Sequence, residues 1–183
     1  IAQVARELGI LTVGIVTVPF GFEGRKRRLQ AEEGLERLRE SVDTLLVINN
    51  ERLREISGNL SIGNAFAMAD NVLSTAAKGI AEVISVTGAI NVDFNDVNTV
   101  MRNSGVAIMG SASAEGEDRA LNAVQEALTS PLLNDNDIRG AKWILININS
   151  AEGEHECTMD ELEIINNHLR LQAGEDADVI VGM

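Results

Sequence analysis

Short apolar runs rich in β-branched residues, Ile10 to Thr17, Thr44 to Ile48, Val106 to Met109 and Trp143 to Ile148, alternate along this chain with helical patterns, and this alternation restricts the fold more than any other feature. Continuous apolar runs mark strands covered on both faces, as in parallel sheets, whose neighbouring strands need crossover helices between them. The intervening segments supply them. Arg25 to Val42 carries Leu29, Leu35, Leu38 and Val42 at helical spacing; Glu117 to Leu128 reads as a second helix, and Thr158 to Leu171 as a third with a Thr158/Glu161 capping box. A last strand starts at Asp178. The chain therefore reads as α/β.

One helical pattern is much longer than the rest. Ser61 is placed to cap a helix whose apolar positions Ile62, Ala65, Phe66, Ala69, Leu73, Ala76, Ile80 and Ile84 keep 3–4 spacing until Gly88. At a rise of about 1.5 Å per residue such a helix spans a whole domain, and it reads as the connection between two α/β units. The expected division is 1–59, the connecting helix 60–87, and a second domain 88–183. Ile1 to Leu8 is helical in pattern, with Gly9 as its C-terminal cap, but no capping residue precedes it. The sequence thus reads as an internal piece of a longer protein, starting inside a helix and ending inside or just after a strand.

Composition excludes several classes. With 183 residues, 45% of them apolar, the chain has enough material for a core, and no 18-residue uncharged apolar run suggests membrane insertion. A formal net charge of −13 opposes binding to nucleic acid. Cys157 is the only cysteine, so no intrachain disulfide can form, which suits a reducing cytoplasm. His155, Cys157 and His168 have no spacing of a nucleophile with its base or of a metal site.

Three constellations carry candidate chemistry. Pro19 to Arg28 (PFGFEGRKRR) follows the carboxyl end of a strand, where open α/β sheets bind ligands. With a helix starting near Gly24, Glu23 and Arg27 both face a sugar or phosphate held over the sheet edge, although a turn followed by a solvated basic helix accounts for the same residues. Phe66 and Asp70 lie one turn apart on the long helix. A ring stacks on a planar base, and a carboxylate accepts the paired donors of guanine, N1–H and the exocyclic amine, which adenine lacks. A core phenylalanine beside a solvent-facing aspartate is the plainer alternative. Asn50, at the end of the second strand, adds one polar contact or is an ordinary turn residue. The third constellation is the acidic loop Asn91 to Asp96. Its Asp93 and Asp96 are suited to orienting a water against a terminal phosphate with the help of bound cations, yet nothing near them binds phosphate. An Asx turn with Asp96 capping a helix from Val97 to Arg102 explains them equally well.

Taken together, the segments Thr17 to Arg27 (TVPFGFEGRKR), Ala65 to Asp70 (AFAMAD), Ile90 to Met101 (INVDFNDVNTVM), Gly116 to Ala120 (GEDRA) and Ser130 to Leu133 (SPLL) resemble FtsZ, the bacterial tubulin-homologue family of cell-division GTPases. The resemblance runs over nearly the whole chain. It implies a tubulin/FtsZ-like α/β fold, GTP or GDP as the bound nucleotide, Mg2+ with the intact protein, and a cytoplasmic, mid-cell septal location. It also implies roles. Glu23 and Arg27 meet the sugar and phosphate side of the nucleotide, Phe66 and Asp70 hold guanine, and Asn50 lies close by. Asn91, Asp93 and Asp96 complete the GTP site of the next subunit in a head-to-tail homopolymer. The glycine-rich phosphate loop of the family has no counterpart in this sequence, nor has the tail that recruits division proteins, so the fragment alone is expected to be inactive. The family usually has proline where Asn49 stands, and Asn149 to Cys157 is more acidic than the family pattern. A non-hydrolysing tubulin-like filament protein and a nucleotide-binding α/β enzyme of other chemistry are the alternatives; the presence of both Asp93 and Asp96 argues against the first, and the Phe66/Asp70 pair against the second.

Overall fold

The structure is a computed structural model, and it describes residues 1–130 and 137–183. Two units share the chain. The first comprises residues 1–81 and 101–109, and the second 82–100, 110–130 and 137–183.

The first unit holds helix α1 (Ala2–Glu7), strand β1 (Val13–Val18), α2 (Arg25–Ser41), β2 (Thr44–Asn49), α3 (Asn50–Ser57), most of α4 (Ile62–Ser85) and β3 (Gly105–Ala107). Its sheet is parallel in the order β1-β2-β3, with Val13 beside Thr44 and Thr44 beside Gly105. β2 is the central strand and the most buried, as its run of apolar residues requires. Leu46 and Ile48 on β2 pack with Ala76, Val72 and Leu73 of α4, joined by Ile15 and Met109. Gly14 lets α2 approach: a Cβ there would lie 3.1 Å from Leu45 Cδ1 and 3.5 Å from Leu38 Cδ2.

Three elements depart from the sequence reading. β1 begins at Val13 and not at Ile10, because the backbone donors before it are engaged elsewhere: Ile10 N–H donates to the Ala5 carbonyl of α1 at 3.0 Å, and Thr12 N–H donates to the Asp43 side chain, Oδ2, at 3.0 Å. β1 is also only half-buried along its length. The strand expected at Val106 to Met109 is β3, and it pairs with β2 in the first sheet. Thr44 Oγ1 donates to the Met101 carbonyl and accepts from the Ser104 hydroxyl at 2.6 Å, while Gly105, at φ 77°, turns its N–H onto the Asp43 carbonyl. α3 had no counterpart in the expectations. Asn49 Oδ1 caps it by accepting Glu51 N–H at 3.0 Å.

The second unit holds the end of α4, α5 (Phe94–Met101) up to Val100, α6 (Arg119–Ala127), β4 (Trp143–Asn147), α7 (Met159–Ala173) and β5 (Asp178–Gly182). β4 and β5 are parallel, Trp143 beside Asp178. The expected Thr158/Glu161 capping box opens α7. Arg119 fastens it to α6: Nε and Nη2 donate to the two Glu161 carboxylate oxygens at 2.5 and 2.9 Å, and the guanidinium also donates to the carbonyls of His155 and Glu156. These bonds, with a backbone N–H from Thr158, hold the Glu161 carboxyl down to about 2. α6 starts two residues later than expected because Gly116 and Asp118 both take positive φ. Burial raises the Cys157 thiol. The motif residues Pro131 to Leu133 lie outside the described residues.

Candidate functional site

In the first unit, the segment after β1 closes into a 3-10 turn, Gly21–Glu23, before α2. Glu23 fixes the turn: its Oε1 accepts Phe20 N–H at 3.0 Å, and its Oε2 lies 3.8 Å from Arg27 Nη1 one helical turn on. Glu23 is mostly buried, whereas the Arg27 side chain is 70% exposed, so the pair is screened by solvent. Gly24 links turn to helix at φ 94°, a conformation that favours glycine.

Aromatic packing carries this turn to α4. Phe20, 2% exposed, stacks on Phe22 with ring centroids 5.0 Å apart, and both rings meet Phe66 nearly at right angles, at 5.6 and 6.1 Å. Edge-to-face contacts of this kind fix ring planes. Phe66 remains 41% exposed, so part of its ring faces solvent. Asp70, one turn further along α4, is exposed and has no hydrogen-bond or ion-pair partner among the described residues.

A second strap joins the turn to α3. Gly21 N–H donates to Glu51 Oε1, one residue beyond Asn50. Asn50 is 3% exposed, and its Oδ1 has no hydrogen-bond partner among the described residues. A buried amide oxygen left unpaired costs about 1–3 kcal/mol, which a ligand donor would recover. Glu23, Arg27, Asn50, Phe66 and Asp70 therefore all belong to elements that the structure ties together. Phe20, Phe22 and Glu51, which shape this corner, were not among the sequence candidates. The two phenylalanines stood in the quoted motif, but only the fold shows that they meet Phe66.

The acidic loop belongs to the second unit. Asp93 and Asp96 form a reciprocal pair: Asp96 N–H donates to Asp93 Oδ1 at 2.8 Å, and Asp93 N–H donates to Asp96 Oδ2 at 3.1 Å. This is a capping box on α5, so the helix starts at Phe94 and not at Val97. Each carboxylate uses one oxygen on the backbone and has its other oxygen outside these bonds. Asn91 Oδ1 accepts Gly88 N–H at 2.9 Å, and Ile90 exchanges two backbone hydrogen bonds with Met183, at 3.0 and 2.8 Å. Among the described residues no group of three metal-ligating side chains occurs, and no helix is long and apolar enough to cross a membrane.

Comparison with known proteins places both units. Residues 1–58 match the GTPase domain of the Tubulin/FtsZ family, and residues 105–183 match the C-terminal domain of the FtsZ family. Cell division protein FtsZ of Porphyromonas gingivalis is 54% identical over 166 residues, which are 91% of this chain and 36% of that protein. The protein of the same name from Wigglesworthia glossinidia brevipalpis is 44% identical over all 183 residues, 47% of its own length. The solved structure "FtsZ dimer, empty" from M. jannaschii superposes with a TM-score of 0.88 at 43% identity, over 99% of this chain and 52% of that one. The chain spans between about a third and half of the relatives it matches.

Proposed function

Because the chain belongs to the FtsZ family, we propose that it is part of a polymerising GTPase of bacterial cell division, with guanine nucleotide held on the first unit and the acidic loop acting on the nucleotide of the next subunit. Phe66 offers a ring face to the base, and the carboxylate of Asp70 accepts N1–H and the exocyclic amine of guanine. Asn50 Oδ1 takes a donor from the nucleoside. Glu23, already held by Phe20 N–H, meets the ribose, while the exposed Arg27 reaches toward phosphate. Asp93 and Asp96 orient a water in line with the terminal phosphate of a neighbour's GTP and take up its proton. Two carboxylates without a protein cage suit Mg2+, which is carried chiefly by phosphate oxygens and water. A loop that serves a neighbour implies a head-to-tail homopolymer, and such heterologous contacts generate filaments. A cytoplasmic mid-cell location, contacts to division proteins through a tail outside this sequence, and inactivity of the isolated chain complete the reading.

The observation that carries it is the unpartnered carboxylate of Asp70 one turn beyond the half-exposed, edge-locked ring of Phe66. The trans role of the loop is tested with Asp96→Asn in the intact protein, since asparagine still accepts the Asp93 N–H. Turnover is expected to fall by about 10² or more while GTP affinity stays within about twofold; equal loss of binding refutes the trans role. Tight GTP binding by the isolated 183-residue chain would instead show that the phosphate site lies within it.

A further inference from the structure

The acidic loop does not hang free of the second unit. Ile90 and Met183 exchange both backbone hydrogen bonds, the pattern of an antiparallel strand pair, just beyond the end of β5. Gly88 faces the Met183 carbonyl so closely that a Cβ there would lie 1.8 Å from its oxygen. Two residues beyond Ile90, Val92 is 6% exposed, and its Cγ2 would lie 2.8 Å from a Cβ at Gly182, on the last residue of β5. Gly182 is buried, and its carbonyl accepts Ile148 N–H at 2.9 Å.

Resting on the function proposed above, we propose that Gly182 and Val92 form a seat that fixes the height of the acidic loop over the end of β5, which makes Gly182 a positioning residue for Asp93 and Asp96. Asp93 directly follows Val92. A methyl group at 182 would stand about 0.7 Å inside ordinary carbon contact with Val92. Asn147 Oδ1, 3.3 Å from the same point, closes another side. Valine is stiff at χ1 and buried here, so it cannot swing aside, and the displacement passes to its backbone and to Asp93. A misplacement of about 1 Å costs reactions of this kind about 10²-fold. A shift of about 0.7 Å is accordingly worth at least about tenfold.

The swap is reciprocal. Val92→Ala empties the seat and lets the loop sink, while Gly182→Ala combined with Val92→Ala places one methyl group where Val92 gave up two, which relieves the clash and returns about half of the lost volume. The four proteins, each as the intact polymerising GTPase, are compared in GTP titration, sedimentation with a slowly hydrolysed GTP analogue, and turnover per sedimented subunit. Gly182→Ala is expected to turn over about tenfold more slowly and Val92→Ala several-fold more slowly, with affinity and sedimentation within about twofold of the parent. The double variant is expected to be at least threefold faster than Gly182→Ala. Should Gly182→Ala fail to fold, Val92→Ala and the double variant carry the comparison. Parent rates in the single variants, or a double variant no faster than either, overturn the seat. Asp96→Ala separates this from the underlying function: full turnover there removes the role of the loop altogether, whereas loss of turnover there beside a parent-like Gly182→Ala removes the seat alone.

Discussion

The reciprocal bonds between Asp93 and Asp96 give both residues two jobs, and substitution can divide them. Asp93→Ala deletes the acceptor for Asp96 N–H, a helix cap worth about 1 kcal/mol, and removes a negative charge from a helix N-terminus, worth about 0.3–1 kcal/mol. The sum is about 1.5 kcal/mol. For a chain of this size it lowers Tm by about 3–6 °C. Asp93→Asn keeps the acceptor and loses only the charge, so about 0.5 kcal/mol and about 1–2 °C are expected. α5 has only eight residues, too few to hold itself without its cap and the burial of Val97, so the loss should be local. Circular dichroism on heating gives Tm, and amide exchange at residues 94–98 locates the fraying. Turnover should fall in both variants by about 10² or more, because both lack the carboxylate. Equal Tm in the alanine and asparagine variants would refute the capping role. A parent-like turnover in Asp93→Asn would refute the chemical one.

Other outcomes follow from single contacts. Asp70→Asn replaces one acceptor oxygen by a donor facing guanine, so GTP affinity should fall about 10–100-fold with little change in Tm, and competition by ITP, which lacks the exocyclic amine, should become more effective relative to GTP. Glu161 is held down to about 2 from an ordinary 4.5 by Arg119 and Thr158. A depressed carboxyl contributes stability above its unfolded value and loses it as pH falls through the folded one, so urea midpoints should decline between about pH 4.5 and 2, and Glu161→Gln should flatten that decline. Asn49→Ala removes the cap of α3 and should cost about 1 kcal/mol in denaturant unfolding, with Asn49→Ser recovering most of it.

What could be read from the residues was whatever rests on near neighbours. The alternation of strands and helices, the 24-residue run of α4 and the Thr158/Glu161 box are local patterns, and the structure has each in place. α3 escaped because Asn50 read as a turn residue, and only the capping geometry reveals Asn49 as a helix start. The spacing of Asp93 and Asp96 held the signal of a capping box, yet taking Asp96 itself as the cap put the expected start of α5 too far along. The partner of β3 depends on Thr44 and Asp43, about sixty residues earlier, and no periodicity reports such a pairing. The same holds for the ring cluster. Phe20 and Phe22 meet Phe66 across the fold, so the corner around the guanine candidates could be named from the resemblance but not built from spacing.

The return of β3 to the first sheet bears on how members of this family can be recombined. No single crossover within residues 82–100 exchanges the first unit whole, because its edge strand and Met109 come from beyond that interval while the rest of its sheet comes from before it. A chimera cut once there inherits Thr44 and Asp43 from one parent and Met101, Ser104 and Gly105 from the other. Its seam runs between the central strand and an edge strand of a parallel sheet. Shuffled libraries should therefore keep functional members mainly where both parents share this handful of residues, or where a second breakpoint after 109 returns the strand to its own sheet.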